Sequence, residues 1–164
     1  MNQSLFFLKL FSALGCGLIA GVFFAFSTFV MSALARLQPA QGIAAMQSIN
    51  IVVINPWFMT VFLGTAVSCS FLVFSSLSVG NQSTTIYVIG GCLLYLVGTF
   101  LVTMVCNVPL NEALAKVDPE SVDGANLWAS YLVSWTFWNH VRTAAAIAAS
   151  ATLTMALCTQ TNSV

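Results

Sequence analysis

The chain has 164 residues, of which 59% are hydrophobic and 5% charged, and its formal net charge is zero. Soluble domains carry about 25% charged residues, so this composition excludes a soluble globule and predicts one integral membrane domain over residues 1–164. The neutral charge excludes a basic surface for nucleic acid and leaves the lipid bilayer as the expected partner.

Four apolar segments are long enough to cross a bilayer as helices, since about 20 helical residues span roughly 30 Å of hydrocarbon. Backbone groups in lipid must be satisfied within the helix, and the alternating pattern of a β-barrel strand does not occur. We therefore predict an all-α fold, a four-helix transmembrane bundle. The predicted spans are about 10–34, 56–77, 85–106 and 135–157.

Local signals mark the first two spans. Gly17 and Gly21 form a Gly-x-x-x-Gly pair in the first span, which lets another helix approach closely. A long connection, 37–55, follows. It ends in Asn55-Pro56, an N-cap residue before a proline at the first helical position, and this predicts the start of the second span.

The other connections differ in length. The short polar stretch 78–83 predicts an antiparallel hairpin between the second and third spans. Pro109 disfavours helix at the residue before it, so we expect the third span to break near Asn107. The stretch 107–134 is then a second long connection, on the same side of the membrane as the first and opposite both termini.

The positive-inside rule puts these long connections in the cytoplasm, in a multi-pass protein of a bacterial-type inner membrane. The rule compares the cations on the two sides of the membrane. They are Arg36, Lys116 and Arg142 beside the long connections, and Lys9 near the termini.

The topology gathers polar and aromatic side chains at the membrane face of the long connections, which predicts a polar site there. An aromatic-lined pocket with a few polar groups suits a flat lipophilic ligand. The residues on this face are Arg36, Gln47, Asn50, Asn55, Trp57, Asn107, Asn111, Glu112, Trp128, Tyr131, Trp135, Asn139, His140 and Arg142.

The fourth helix presents two different sides. At 100° per residue, His140 lies about 200° from both Trp138 and Arg142, so His140 and Arg142 cannot both face a narrow site. An interfacial aromatic belt and a snorkelling Arg142 are the alternative explanation of this composition. One stripe of the helix comprises Trp128, Tyr131, Trp135, Trp138, Asn139 and Arg142.

We expect neither a metal nor a cofactor. The five cysteines contain no Cys-x-x-Cys pair, and the single histidine, His140, cannot complete a di-iron or bis-His haem site. The four spans have no ionisable residue near mid-membrane, which disfavours a transporter.

Five stretches of the chain carry a family resemblance. They are Gly21–Met31, Met46–Asn50, Asn55–Phe58, Asn107–Asn111 and Trp135–Arg142. With them, nearly the whole chain resembles the anthrone oxygenase-like family of small four-helix membrane proteins, long catalogued as a domain of unknown function. Ser32 stands where the family pattern has Pro, which affects only a kink expected at that helix end.

The resemblance implies a membrane oxygenase, a monooxygenase that uses O2 and no recognised cofactor to convert a lipophilic polycyclic anthrone to an anthraquinone. It suggests His140 as catalytic base, because histidine titrates near neutral pH. Asn107 and Asn111 would hold substrate oxygens, and Arg142 would stabilise anionic charge. The substrate-binding candidates are Asn50, Asn55, Trp57, Trp135, Trp138 and Asn139.

Two other classes of function stay open at this point. The chain could bind a quinone-like or lipid ligand without turnover, or serve as an accessory subunit of a membrane complex, including a homo-oligomer. A small transporter ranks last, since we see no charge along a pathway.

Overall fold

The structure is a computed structural model that describes residues 3–79 and 84–161. Within these two stretches the chain is helical and has no strand. Four of its helices are long and apolar enough to cross a membrane, which confirms the predicted all-α, four-span fold. The helices are α1 (Gln3–Leu34), α2 (Pro39–Val52), α3 (Pro56–Val79), α4 (Thr85–Ala115) and α5 (Val122–Thr161).

The four spans form a closed ring in which α5 packs against α1 and α4, and α3 packs against both α1 and α4. Small residues bring these helices close together. A Cβ at Gly98 of α4 would lie 2.5 Å from Ala145 Cβ in α5, and one at Gly17 would lie 3.3 Å from Ser150 Oγ. Gly17 therefore makes the predicted close approach, whereas no atom would lie within 4 Å of a Cβ at Gly21.

Helix α2 covers the end of the bundle where the long connections emerge. Ile43 and Met46 are buried there against Trp128 of α5. Gln47 Nε2 donates hydrogen bonds to Leu114 O at 2.8 Å and to Val117 O at 3.1 Å. These bonds reach the Leu114 carbonyl near the end of α4 and the Val117 carbonyl just after it, and they fix α2 on the bundle.

The start of α3 agrees with the sequence, but the end of α4 does not. Asn55 Oδ1 accepts a hydrogen bond from Phe58 N at 3.1 Å and caps α3 as predicted. The expected break near Asn107 is wrong, because Asn107 has helical angles of φ −84° and ψ −40° and the helix continues to Ala115. A π-helical turn, Thr103–Asn107, ends two residues before Pro109, and its altered hydrogen-bond pattern accommodates a residue that lacks an N–H.

Helix α5 begins at Val122, well before the predicted span at 135. Arg142 is the twentieth residue after Val122, so it lies about 30 Å along the helix. It faces Phe23 and Thr103, which lie inside other spans. The expectation that the spans carry no ionisable residue away from their ends is therefore wrong. Helix α1 likewise begins at Gln3 rather than near residue 10, and the predicted turn at 78–83 lies largely outside the described residues.

Candidate functional site

Arg142 is the charged centre of a buried polar cluster between α1, α4 and α5. Its side chain is 5% exposed. Nε donates to Asn139 Oδ1 at 2.9 Å, and Nη1 donates to Thr103 Oγ1 at 3.3 Å. The guanidinium carbon lies 4.0 Å from the ring centroid of Phe23 and 4.8 Å from that of Trp135. Neutral dipoles and two aromatic faces thus surround the cation.

Arg142 has no carboxylate partner in the part of the chain that the structure describes. All four acidic residues fall in that part, and all four side chains are exposed. A buried cation is costly unless an anion or strong hydrogen-bond acceptors compensate it, and ionisable groups inside membrane spans commonly mark functional sites. The site therefore favours an anionic group beside Arg142.

Asn139 connects this cation to α1. It is fully buried, and its Nδ2 donates to Phe23 O at 2.8 Å and to Ser27 Oγ at 2.7 Å. Ser27 Oγ also lies 3.1 Å from Thr143 Oγ1. With its amide nitrogen held in this way, Asn139 must present Oδ1 to Arg142. The amide orientation is thus set by α1.

Two further amides in this half of the bundle carry buried atoms without a hydrogen-bond partner among the described residues. Asn107 is fully buried, and its Nδ2 donates to Trp135 O at 3.2 Å while its Oδ1 has no donor. Asn50 Nδ2 faces the Tyr131 hydroxyl without meeting the geometry of a hydrogen bond. Leaving such an atom unpaired costs about 1–3 kcal/mol, so each points to a ligand or a water. The third such atom, Thr65 Oγ1, lies in the other half.

An aromatic wall on α5 borders the amides. The rings of Trp128 and Tyr131 stack with centroids 5.5 Å apart, and those of Tyr131 and Trp135 with centroids 6.2 Å apart. Asn111 Oδ1 accepts from Tyr131 OH at 2.9 Å and from Trp135 Nε1 at 2.8 Å. This one oxygen fixes two rings, and the three rings of the wall are buried in the core of this half of the bundle, next to polar groups.

Both helices that face Arg142 contain π-helical turns, which are wider than α-helical ones, close to Arg142. Helix α1 contains a π-helical turn at Phe26–Val30, and α4 contains π-helical segments at Leu94–Leu101 and Thr103–Asn107. Thr99 Oγ1 in the longer segment donates to Arg142 O at 3.3 Å. Turns of this kind are rare and occur frequently at functional sites. Their position around one buried cation supports the assignment of a site here.

Four of the predicted site residues lie elsewhere. His140 is exposed, on the side of α5 opposite Arg142. Trp57 is 86% exposed, and Asn55 is engaged as the cap of α3. Trp138 is half-buried and contacts Phe137 edge to face with centroids 5.2 Å apart. The structure does bring together Asn50, Asn107, Asn111, Trp135, Asn139 and Arg142.

Four hydroxyl groups complete the cluster and were not predicted from the sequence, those of Ser27, Thr99, Thr103 and Thr143. The spacing of residues in the sequence does indicate two of these four hydroxyl groups. Thr99, Thr103, Asn107 and Asn111 recur every four residues in an otherwise apolar span, and this spacing forms a polar stripe along one helix face. Tyr131 lay on the predicted face but was not assigned to the site.

A large surface groove lies on the bundle but does not coincide with the cluster. It has a volume of about 630 Å³ and runs between α1 and α5. Its walls are small or apolar residues, among them Gly21, Phe24 and Ala151. It opens outward between these two spans, and it is not lined by Asn50, Thr65 or Asn107, whose buried polar atoms are unpaired.

Residues 58–152 fit the family described as anthrone oxygenase. This range covers α4 and much of α5, and so includes Asn107, Asn111, Asn139 and Arg142, but it leaves out Asn50. No curated protein and no solved structure matches the chain.

Proposed function

The chain belongs to the anthrone oxygenase family, and on this premise we propose that it is a membrane enzyme that oxidises a lipophilic anthrone-type compound with O2. One observation carries the proposal. Arg142 is a buried cation without a carboxylate partner in the described chain, and it lies in a cluster whose amides leave two buried atoms unpaired. Such a site is complementary to an aromatic anion.

The reaction balances without an added reductant. The central CH2 group of the anthrone loses a proton, and the resulting carbanion, delocalised onto the ring oxygen, passes electrons to O2. A C–O bond forms, and protonation gives a hydroperoxide at that carbon. Loss of the second C–H proton with cleavage of the O–O bond then releases water and leaves a carbonyl. One oxygen atom enters the product and the other leaves as water, so no cofactor is required.

Arg142 would stabilise the delocalised anion on which this sequence depends. Asn107 Oδ1 accepts and Asn50 Nδ2 donates, so together they can pair with a hydroxyl and a carbonyl of the substrate. The Tyr131 and Trp135 rings would pack against the polycycle. Electrostatic groups placed in advance of the reaction typically contribute 10²–10³-fold to the rate.

The assignment of His140 as the base is a separate hypothesis. Its side chain is exposed on the opposite side of α5 from Arg142, so it cannot act on a substrate held beside Arg142. It would have to take the proton at the outer surface of the bundle. The alternative is that the substrate ionises on binding, because Arg142 favours its anion, and releases the proton to water at the membrane face.

We also propose that the long connections lie in the cytoplasm of an inner membrane of bacterial type. Because Arg142 lies midway along α5 and not near its end, the charge comparison now rests on Arg36 and Lys116 against Lys9. A reporter enzyme fused to the C-terminal end of the chain would then be active only if it is of a kind that works outside the cytoplasm.

A second candidate function is binding of a quinone-like ligand without turnover. The unpaired atoms of Asn107 and Asn50 favour it equally, because they require a polar ligand and not a reaction. The two candidates differ in their consumption of O2.

The test is O2 uptake and quinone formation by the purified protein supplied with a hydroxyanthrone in detergent. The proposal predicts one O2 consumed for each quinone formed, and a rate about 10²-fold lower in Arg142→Met. Gln47→Met serves as a folding control, since Gln47 ties α2 to α4 but does not contact Arg142. Binding without O2 uptake would instead support the second candidate.

A further inference from the structure

An exposed apolar patch lies where α2 turns into α3, on the side of the long connections. Its side chains are large and hydrophobic, and each of them is at least 67% exposed. We call this group the corner patch, and it consists of Ile51, Val52, Ile54 and Trp57. Exposed apolar patches of this kind mark contacts with a membrane or with another protein.

The two long connections of the chain differ in charge. Residues 37–111 contain no Asp, Glu, Lys, Arg or His, so α2 and the corner patch have no charged side chain. The connection between α4 and α5 instead contains Lys116, Asp118 and Glu120. Charged side chains are costly in lipid and common on surfaces that face water. The second connection therefore suits water, whereas the first suits contact with lipid.

The corner patch lies at the depth of the hydrocarbon boundary. Helix α3 has 24 residues and is about 36 Å long, only slightly longer than the roughly 30 Å of hydrocarbon. Its first residues are therefore close to that boundary, and Trp57 is the second of them. Asn50, directly before the patch, faces Tyr131, and Val133 of the same spanning helix is 73% exposed. The patch thus continues the apolar outer surface of the spans.

The backbone at the corner is hydrogen-bonded in the way that lipid requires. Lipid has no water to pair an exposed N–H or C=O group, so such groups must be paired within the protein. Ile54 N donates to Ile51 O at 3.2 Å, and Asn55 Nδ2 donates to Val52 O at 3.0 Å. Asn55 Oδ1 also accepts from Phe58 N. Carbonyls at the end of α2 and an N–H at the start of α3 are thus paired beside exposed side chains.

We propose that the corner patch is inserted into the bilayer and contacts the phospholipid acyl chains just below the headgroups. The uncharged sequence, the depth of the patch and its continuity with the outer surface of the spans all favour lipid as the partner. A tryptophan at this boundary is typical of membrane proteins. Helix α2 then lies at the membrane interface, held to the bundle by Gln47 and to the lipid by the patch. The proposal depends neither on the proposed oxidation nor on which side of the membrane the patch lies.

The test is tryptophan fluorescence of the full chain in phosphatidylcholine vesicles. The signal of Trp57 is the difference between the wild type and Trp57→Phe. One quencher is phosphatidylcholine with bromine on its acyl chains near the headgroup, and the other is acrylamide in the water. We expect the brominated lipid to lower the Trp57 signal about twofold or more, and acrylamide to lower it much less.

Two further variants, both made in the Trp57→Phe chain, supply a second probe and a matched control. Ile51→Trp places a probe at another position of the patch, and the brominated lipid should quench it as it quenches Trp57. Val122→Trp is the control, because Val122 is 77% exposed at the start of α5, beside Asp123. Acrylamide should quench this control strongly and the brominated lipid should not.

Two results would overturn the proposal. Quenching of Trp57 and of the Ile51→Trp probe by acrylamide to the extent found for Val122→Trp would put the patch in water. Protection of both probes from both quenchers would show that protein covers the patch, for example a second copy of the chain.

Discussion

Asn139 and Arg142 lie about one turn apart on α5, and Asn139 Oδ1 accepts the Arg142 Nε hydrogen bond at 2.9 Å. The amide nitrogen of the same Asn139 donates to Phe23 O and Ser27 Oγ of α1. The cation is thus positioned by a neutral amide and not by a carboxylate. Its positive charge stays available to a ligand, which is the basis of the proposed site.

Asn139→Ala should destabilise the protein by about 3 kcal/mol. The change removes the acceptor of Arg142 Nε and the donor to Phe23 O and Ser27 Oγ in a buried region, at about 1–3 kcal/mol for each buried group that loses its partner. The measurement is denaturant unfolding in detergent. Asn126→Ala is the control, because Asn126 is exposed on the same helix and should change stability by less than about 0.5 kcal/mol. Equal effects in the two variants would show that Asn139 does not tie α5 to α1.

Asn111 and Tyr131 should be energetically coupled. Asn111→Ala removes the acceptor that Tyr131 OH and Trp135 Nε1 share, and Tyr131→Phe removes one of those donors. In a double-mutant cycle on unfolding free energy, we expect a coupling of about 1 kcal/mol. Strictly additive losses would mean that the bond between these two residues contributes nothing to holding the aromatic wall.

Two glycines of α4 should respond to alanine with opposite signs. Gly98→Ala adds a Cβ 2.5 Å from Ala145 Cβ and forces α4 and α5 apart, at a cost of about 1–3 kcal/mol. Gly90→Ala meets no atom within 4 Å and should stabilise the helix by up to about 1 kcal/mol. Thermal unfolding of both variants checks this contrast. Stabilisation by both changes would contradict the close α4–α5 contact.

His140→Ala should keep at least about a tenth of the wild-type oxidation rate. His140 is exposed and lies across α5 from Arg142, so it does not reach a ligand held there. A general base contributes about 10²–10⁴-fold. A loss in that range, with unfolding unchanged, would instead support the base hypothesis and place proton removal at the outer surface of the bundle.

The fold was predictable from the sequence because four long apolar runs define helical spans and the alternating pattern of barrel strands does not occur. The spacing showed that His140 and Arg142 lie on different sides of α5, but not which side faces the bundle. The structure buries the side of Tyr131, Trp135 and Arg142. The depth of Arg142 within the bundle was not predictable from the sequence. Because residues 122–134 include polar side chains, their hydropathy did not indicate the first turns of α5. The helix was therefore predicted to be shorter than it is, with Arg142 near the membrane surface.

The hydroxyl groups of the site were harder to predict for a different reason. Thr103 Oγ1 donates to Thr99 O of its own helix at 2.7 Å, a bond that is common in membrane helices without any further role. Thr99 Oγ1 instead donates to Arg142 O of α5. Only the packing of α5 against α4 gives Thr103 its second partner, Arg142. The continuity of α4 through Pro109 depends on a π-helical turn, which has no simple signature in the sequence.

The central claim is that Arg142 holds the substrate as an anion, and a spectroscopic titration of a bound hydroxyanthrone under nitrogen tests it most directly. A cation within about 4–6 Å lowers the pKa of an acidic ligand by about 1–3. The account predicts that the bound ligand ionises at a pH lower by that amount than in empty detergent micelles, and that Arg142→Met abolishes the difference while Asn126→Ala keeps it. Ionisation at the same pH in the wild type and in Arg142→Met would contradict the account.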